Sequence, residues 1–292
     1  MHPLITQLLS EQPVITDGAW GSQIQSLGLQ AGECPDNWNL DNPVRVGQVA
    51  RSYVDAGSRI ILTNTFGANR IMLERHGLAE KATAINKAGA MISRKAAQDA
   101  AFVFGSIGPT GKMVFTGEAS EDELLKAFEE QALALAEGGV HGIVIETISE
   151  LAEARIALRA AHRTGLPVVV SMTYDSGHGF ERTMMGISPE EAVEDLKVAG
   201  ADVIGANCGM GAEYMVTICA RIKAVTHLPI WIKPNAGLPE VVDGRVIYNS
   251  TPESFARYAL QIRLAGAAFL GGCCGTNPEY IRALKNALSA NA

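Results

Sequence analysis

Residues 142–172 read GIVIETISELAEARIALRAAHRTGLPVVVSM and contain one complete copy of the pattern that predicts the fold. It begins with a short apolar run, Gly142–Ile145, and ends with a β-branched run, Pro167–Met172. Between them lies a longer segment whose apolar residues recur with the period of an amphipathic helix. This order is typical of a βαβ unit, in which a helix connects two parallel strands.

The same alternation continues in both directions to the ends of the chain. Eight strands are predicted: Pro13–Thr16, Arg59–Asn64, Phe102–Ser106, Gly142–Ile145, Pro167–Met172, Asp202–Ala206, Pro229–Ile232 and Ala267–Gly271. No composition shift or Pro/Ser-rich linker divides the 292 residues. The pattern therefore predicts a single domain, residues 1–292, with the α/β architecture of a closed (β/α)8 TIM barrel. A Rossmann fold is disfavoured, because no G-x-G-x-x-G follows the first strand.

Helix boundaries carry their own signals. Three helices are expected to begin after a hydroxyl residue that precedes an acidic or proline-bearing first turn, namely Ser120, Ser188 and Thr251. Three are expected to end at a glycine shortly before the next strand, namely Gly139, Gly200 and Gly266.

Composition narrows the function classes. The net charge of −7 comes from acidic and basic residues mixed along the chain, which argues against nucleic acid as a partner. No run of 18 apolar residues occurs, and Met1–Glu11 lacks the pattern of an export signal, so we expect a cytoplasmic protein with no membrane partner. Five cysteines are too few for a disulfide scaffold and indicate metal-binding, catalytic or core residues.

Unusual polar residues follow the predicted strands. In a (β/α)8 barrel the active site lies at the C-terminal ends of the strands, so these side chains are expected to gather on one face. They are Asp17, Asn64, Thr65, Glu146, Asn207, Cys208, Asn235, Cys273 and Cys274.

Three of these residues, Cys208, Cys273 and Cys274, suggest a metal site. The vicinal pair lies in Gly271-Gly-Cys-Cys-Gly275, where flanking glycines permit a turn that aims both sulfurs at one point. Three thiolates with an open fourth position form a catalytic zinc site, and thiolates favour zinc over magnesium or calcium. Two alternatives remain, a set of buried small residues and a redox-active vicinal disulfide. Cys34 and Cys219 are interpreted as core residues.

Charged residues on the same face suggest a substrate. The carboxylates of Asp17 and Glu146, with the backbone amides of the Asp17–Ala19 turn, suit the ammonium and carboxylate of an amino acid. Lys233 ends the seventh strand and could form a Schiff base in an aldolase. A salt bridge inside the barrel is the favoured interpretation of this lysine.

Motifs along the whole chain resemble one family, the homocysteine S-methyltransferases, in particular the homocysteine-binding module of cobalamin-dependent methionine synthase. The motifs are Asp17-Gly-Ala-Trp-Gly21, Thr63-Asn-Thr-Phe-Gly-Ala68, Gly105-Ser-Ile-Gly-Pro-Thr-Gly111, Glu146-Thr147, Asn207-Cys-Gly209, Pro234-Asn-Ala-Gly237 and Gly271-Gly-Cys-Cys-Gly-Thr276.

This resemblance implies a zinc-dependent enzyme that methylates homocysteine to methionine. The implied zinc ligands are Cys208, Cys273 and Cys274, which act catalytically through the metal. The implied substrate-binding residues are Asp17, Gly18, Ala19, Asn64, Glu146, Asn207 and Asn235. Bound zinc would lower the pKa of the substrate thiol, so that a thiolate attacks the methyl group near neutral pH.

The methyl donor is left open by two departures from the family pattern. Trp20 and Ser22 replace the more usual methionine and threonine, and a second tryptophan, Trp38, lies in the following loop. Either tryptophan could hold a small onium donor by cation–π contact, or both could anchor their loops. No Asp-x-His-x-x-Gly cobalamin signature occurs, so a methyl-corrinoid donor is expected on another protein. The chain could then be a thiol-activating subunit that is inactive without this partner.

Overall fold

Eight parallel strands form a closed ring in the computed structural model, which describes residues 1–242 and 245–290. Along the sheet each barrel strand pairs with the next one in the chain, and the first strand pairs with the last. A bridge between Thr16 and Ile60 joins the first strand to the second and completes the ring. The predicted (β/α)8 barrel is confirmed.

Ten strands and twelve α-helices lie within the described ranges. The strands are β1 Val14–Ile15, β2 Ile60–Leu62, β3 Phe102–Ile107, β4 Gly142–Ile148, β5 Val168–Met172, β6 Val203–Cys208, β7 Ile230–Pro234, β8 Pro239–Val242, β9 Arg245–Tyr248 and β10 Phe269–Leu270. The helices are α1 Pro3–Leu9, α2 Gly21–Ser26, α3 Trp38–Asp41, α4 Pro43–Ala56, α5 Arg70–Glu74, α6 Ala82–Ala97, α7 Glu121–Glu137, α8 Leu151–Ala161, α9 Pro189–Val198, α10 Ala212–Val225, α11 Pro252–Leu264 and α12 Pro278–Ala290.

All eight predicted strands are present, but their ends differ. Strand β4 continues through Glu146 to Ile148, and β6 continues through Asn207 to Cys208. Functional residues expected just after these two strands therefore belong to the strands themselves. The antiparallel hairpin of β8 and β9 between β7 and α11 was not predicted.

The expected helix signals are present. Ser120 and Ser188 form capping boxes with Glu123 and Glu191, and the Thr251 side chain accepts from the backbone of Ser254. The expected glycines follow α7, α9 and α11, each with the positive φ that a helix end favours.

The core has two layers. Inside the barrel, inward-facing strand residues such as Phe104, Trp231 and Phe269 pack together, and Ile5 and Leu8 of α1 join them. A larger layer fills the space between the strands and the surrounding helices. Burial of these side chains stabilises the barrel and leaves its C-terminal face to the polar residues. Among the helices of the described chain, none has the length and apolar character that a membrane crossing requires.

Candidate metal and substrate site

Three cysteine sulfurs converge at the C-terminal face of the barrel. The sulfurs of Cys208, Cys273 and Cys274 all lie within 4.8 Å of one another, and those of Cys208 and Cys274 are 4.0 Å apart. Each of the three residues is partly exposed. Three sulfurs at these separations, open to solvent on one side, could bind one metal ion and leave a position for another ligand.

Backbone geometry places Cys208 at the rim. Cys208 has φ +62° and Gly209 has φ +67°, so two successive residues adopt the left-handed conformation at the end of β6. This conformation is unfavourable for a residue with a side chain, so the surrounding structure must hold Cys208 in place. The consequence is a sharp turn that directs the sulfur towards the other two cysteines.

Backbone hydrogen bonds fix the loop that contains the other two cysteines. Cys273 N donates to the carbonyl of Pro234 at 2.7 Å, and Ala236 N donates to the carbonyl of Cys274 at 2.9 Å. The loop also approaches the first strand closely, since a Cβ on Gly271 would clash with Thr16 Oγ1 and with the carbonyl of Asp17. The loop after β10 is therefore held tightly against the end of β7.

The three cysteine thiols differ in pKa. Hydrogen bonds from Cys273 and Cys274 lower the pKa of Cys208, and the bonds to Cys208 raise the pKa of Cys273 and of Cys274. Without a cation, the cluster thus favours one thiolate and two thiols. A divalent cation would instead stabilise all three thiolates at once.

Asn235 lies beside this cluster with one unsatisfied group. Its Nδ2 donates to the carbonyl of Gly209 at 2.8 Å, while its Oδ1 is buried and has no hydrogen-bond partner among the described residues. Its side chain also lies within hydrogen-bonding reach of the Cys208 sulfur. A buried oxygen without a donor is costly unless a ligand or ion completes its coordination.

Asn207 differs from the expected substrate contact. It is fully buried, and its Oδ1 accepts from Thr147 N at 2.9 Å and from Ser171 Oγ at 2.7 Å. Its Nδ2 donates to Thr147 Oγ1 at 2.7 Å and lies 3.8 Å from the sulfur of Cys273. All four hydrogen-bonding positions of this amide are used within the protein, and its substrate-binding role stays a prediction.

Asp17 also differs from the expectation. Its side chain is fully buried, with Lys233 Nζ 2.5 Å from Oδ1. Trp20 Nε1 and Leu62 N both donate to Oδ2 at 2.7 Å. The carboxylate is therefore engaged by three internal donors, and the lysine forms the salt bridge that the sequence favoured.

The rest of the Asp17–Ala19 turn is also engaged within the protein. Ala19 N donates to Thr276 Oγ1 at 3.1 Å, and Tyr53 OH donates to the carbonyl of Ala19. A Cβ on Gly18 would lie 2.9 Å from the Tyr53 hydroxyl, which leaves no room for a ligand on that side. The direct binding of substrate by Asp17, Gly18 and Ala19 stays a prediction.

Glu146 remains the carboxylate suited to a ligand. It is 7% exposed, and its Oε1 accepts from Ser106 Oγ at 2.6 Å. In the described part of the chain, no hydrogen bond reaches its Oε2. Burial raises the pKa of this carboxyl to about 7, and the ammonium of Lys233 opposes that rise.

Asn64 and the two tryptophans hold loops together. Asn64 Nδ2 donates to the carbonyl of Pro35 at 2.8 Å, and the substrate-binding role of this residue stays a prediction. Trp38 is 5% exposed, and the Arg45 guanidinium lies 5.5 Å from its ring centroid. Trp20 is partly exposed and bonded to Asp17. Of the two, only Trp20 is open enough to meet a donor.

Sequence reasoning missed Tyr248. This residue ends β9, and its ring lies against the backbone of Gly275, where an added Cβ would be 2.2 Å from its Cγ. Burial raises the pKa of Tyr248 to about 12, and the negative charge of the neighbouring cysteines adds to this rise. Gly275 has a positive φ, and Tyr248 packs against it at one side of the site. Tyr248 reaches this position because it belongs to the hairpin of β8 and β9.

Cys34 and Cys219 are buried, as expected.

A (β/α)8 barrel with convergent cysteine sulfurs at its C-terminal face defines a class of barrel proteins whose thiolates could hold a metal ion. The chain belongs to the homocysteine S-methyltransferase family, whose sequence model matches residues 14–288.

Individual relatives agree with this family. Methionine synthase of Mycobacterium leprae is 28% identical over 98% of this chain, and so is that of Mycobacterium tuberculosis. The chain spans about a quarter of each of these relatives, 25% of the length. The metallated form of the homocysteine methyltransferase MmuM from Escherichia coli superposes with a TM-score of 0.79 at 23% identity, over 96% of this chain and 98% of that one. That similarity supports the fold.

Proposed function

We propose that the chain is a zinc-dependent S-methyltransferase that transfers a methyl group to the thiol of homocysteine and forms methionine. The observation that carries this proposal is the group of three sulfurs within 4.8 Å of one another at the mouth of a barrel of this family. The family supports homocysteine as the methyl acceptor. The three cysteine sulfurs support zinc as the metal. We also propose a cytoplasmic location, since a reducing compartment keeps the thiols available.

The residues of the cluster fit zinc. Cys208, Cys273 and Cys274 supply three soft thiolate donors, and the site keeps an open side for a fourth. The unpartnered Oδ1 of Asn235 is a polar atom beside this open side. Zinc bound there would lower the pKa of a substrate thiol and present it as a thiolate.

Charge supports an amino-acid substrate. Lys233 matches the charge of Asp17, so the second buried carboxylate, Glu146, has no cation of its own at hydrogen-bonding distance. A substrate ammonium would supply that partner and bond to Oε2. Ser106 holds the carboxylate by its other oxygen and orients it. The chain thus anchors the amino end of homocysteine while the cysteines hold the sulfur end.

Methyl transfer is then a displacement at carbon. The substrate thiolate forms a bond to the methyl carbon, and the bond from that carbon to its donor breaks, with its electron pair leaving on the donor. Zinc held by the three cysteines would let the substrate thiol release its proton to solvent, so the transfer step itself would need no general base. A small onium compound suits this chemistry, and Trp20 is the aromatic residue open to it.

A second candidate is favoured by the methionine synthases, of which the chain spans 25%. In it, the chain activates homocysteine and a methyl-corrinoid on another protein delivers the methyl group. The same cysteines and the same acceptor serve both candidates. They differ only in the donor.

Metal analysis and a donor panel test the proposal. We expect about one zinc per chain, retained in Cys219→Ala and lost in Cys273→Ala/Cys274→Ala, because Cys219 is buried away from the cluster. Homocysteine is then supplied with betaine, S-methylmethionine, dimethylsulfoniopropionate or methylcobalamin, and methionine is measured. Full zinc retention in the double variant would refute the metal site. Turnover only with a corrinoid protein would favour the second candidate.

A further inference from the structure

Methyl transfer at a zinc site of this kind meets a problem of selectivity. Three ligand thiolates lie beside the substrate thiolate, and all four are nucleophiles that an electrophilic methyl group could reach. A hydrogen bond to a thiolate withdraws electron density from it and makes it less reactive. The side chains that donate to the ligand sulfurs therefore bear on which sulfur is methylated.

One donor to these sulfurs is oriented without ambiguity. The oxygen of the Asn207 amide accepts two hydrogen bonds, from Thr147 N and from Ser171 Oγ. Because the backbone N–H of Thr147 can only donate, the oxygen must face it and the NH2 group must face the opposite way. There it meets Thr147 Oγ1 at 2.7 Å and the sulfur of Cys273 at 3.8 Å.

The backbone of Thr147 adopts a strained conformation that allows these hydrogen bonds to Asn207. Thr147 has φ +64°, in the left-handed region that residues with side chains avoid. Both its backbone N–H and its hydroxyl are bonded to Asn207. Strain of this kind persists where the surroundings enforce it, and here it presents two groups of one residue to one amide. Asn207 is fully buried as well, so it cannot turn without losing these bonds.

We propose that Asn207, held by Thr147 and Ser171, is a positioning residue that donates to the Cys273 thiolate and protects it from alkylation. Cys273 thereby becomes a weaker competitor of the substrate sulfur for the methyl group. This inference rests on the proposed zinc site, and it concerns the selectivity of the reaction and not its acceptor. Hydrogen bonds around metal ligands are a common way to tune them.

Alkylation of the zinc-loaded full chain by iodoacetamide tests the proposal without turnover. In this reaction a cysteine sulfur bonds to the acetamide carbon, and iodide leaves with the electron pair. Mass spectrometry gives the rate at each cysteine, and the ratio of Cys273 to Cys208 is the readout. In Asn207→Asp an oxygen replaces the NH2 group, and we expect this ratio to rise about tenfold. We expect a smaller rise, about threefold, in Asn207→Ala, which removes the donor without adding a charge.

A matched control separates this effect from the cost of burying an aspartate. Asn86 is also fully buried, and its Nδ2 donates to the carbonyls of Ala68 and Ala82, away from the cysteines. Asn86→Asp should leave the ratio of Cys273 to Cys208 unchanged. If Asn207→Asp does not fold, Asn207→Ala decides the question. An unchanged ratio in Asn207→Ala with zinc still bound would overturn this inference alone. A wild-type chain that binds no zinc would overturn the proposed function and this inference with it.

Discussion

Removal of the buried ammonium of Lys233 should destabilise the barrel strongly. Its side chain is 3% exposed and that of Asp17 is 0% exposed, with 2.5 Å between Nζ and Oδ1. Two unit charges at this separation attract by about 7 kcal/mol at an effective dielectric constant of about 20. Lys233→Met leaves the carboxylate buried without its cation. Relaxation and water entry recover part of the loss, so we expect the free energy of unfolding to fall by about 3–5 kcal/mol.

The double variant Lys233→Met/Asp17→Asn is the matched control. It removes both charges and keeps an amide oxygen for the donors Trp20 and Leu62. We expect it to be more stable than Lys233→Met by about 2 kcal/mol, since no uncompensated charge remains. Urea unfolding followed by circular dichroism measures both values. A cost below about 1 kcal/mol for Lys233→Met, or a double variant no more stable than the single one, would show that the pair does not stabilise the fold.

Two further predictions concern the loops around the site. Burial raises the pKa of Asp36 from 3.8 to about 6, so between these pH values the folded state keeps a proton that the unfolded state has lost. The free energy of unfolding therefore falls by about 3 kcal/mol as pH rises through this window. Asp36→Asn keeps an oxygen for Gly67 N and should exceed wild type in urea unfolding at pH 8 but not at pH 4; an equal difference at both pH values would contradict this. Gly275→Ala places a Cβ 2.2 Å from Tyr248, and we expect the free energy of unfolding to fall by about 2 kcal/mol more than in Gly165→Ala. Gly165 is the matched control, because it is also left-handed but has nothing within 4 Å of an added Cβ. Equal urea midpoints for the two variants would refute the contact.

The sequence was sufficient for the architecture because the barrel repeats one local pattern. Each strand and each helix can be predicted from its own local sequence, and short connections leave few ways to assemble eight such units. The cysteine cluster was predictable for a related reason, since the C-terminal ends of parallel strands meet on one face. Cys208, Cys273 and Cys274 are brought together as that rule requires.

Roles within the polar cluster were less accessible from sequence. Asp17 and Asn207 occupy the expected face, but whether a polar side chain meets a ligand or a neighbour depends on distances between strands far apart in the chain. Lys233 is 216 residues from Asp17, and only the closed barrel pairs them. Tyr248 was missed because its contact with Gly275 depends on a hairpin that neither helical nor strand periodicity of the barrel predicts.

The division between satisfied and unsatisfied groups indicates where a ligand binds. Asp17 and Asn207 are buried and engaged by internal partners, so they add rigidity but have little left to offer a substrate. The Oδ1 of Asn235 is buried without a partner among the described residues, and Glu146 keeps one oxygen without a hydrogen bond there. Native proteins satisfy nearly all buried polar groups, so an unpartnered oxygen beside the three sulfurs marks a position that a ligand or ion could complete. One of the two groups lies beside the sulfurs, where a bound metal ion could coordinate it, and the other is a carboxylate that the ammonium of an amino-acid substrate could reach.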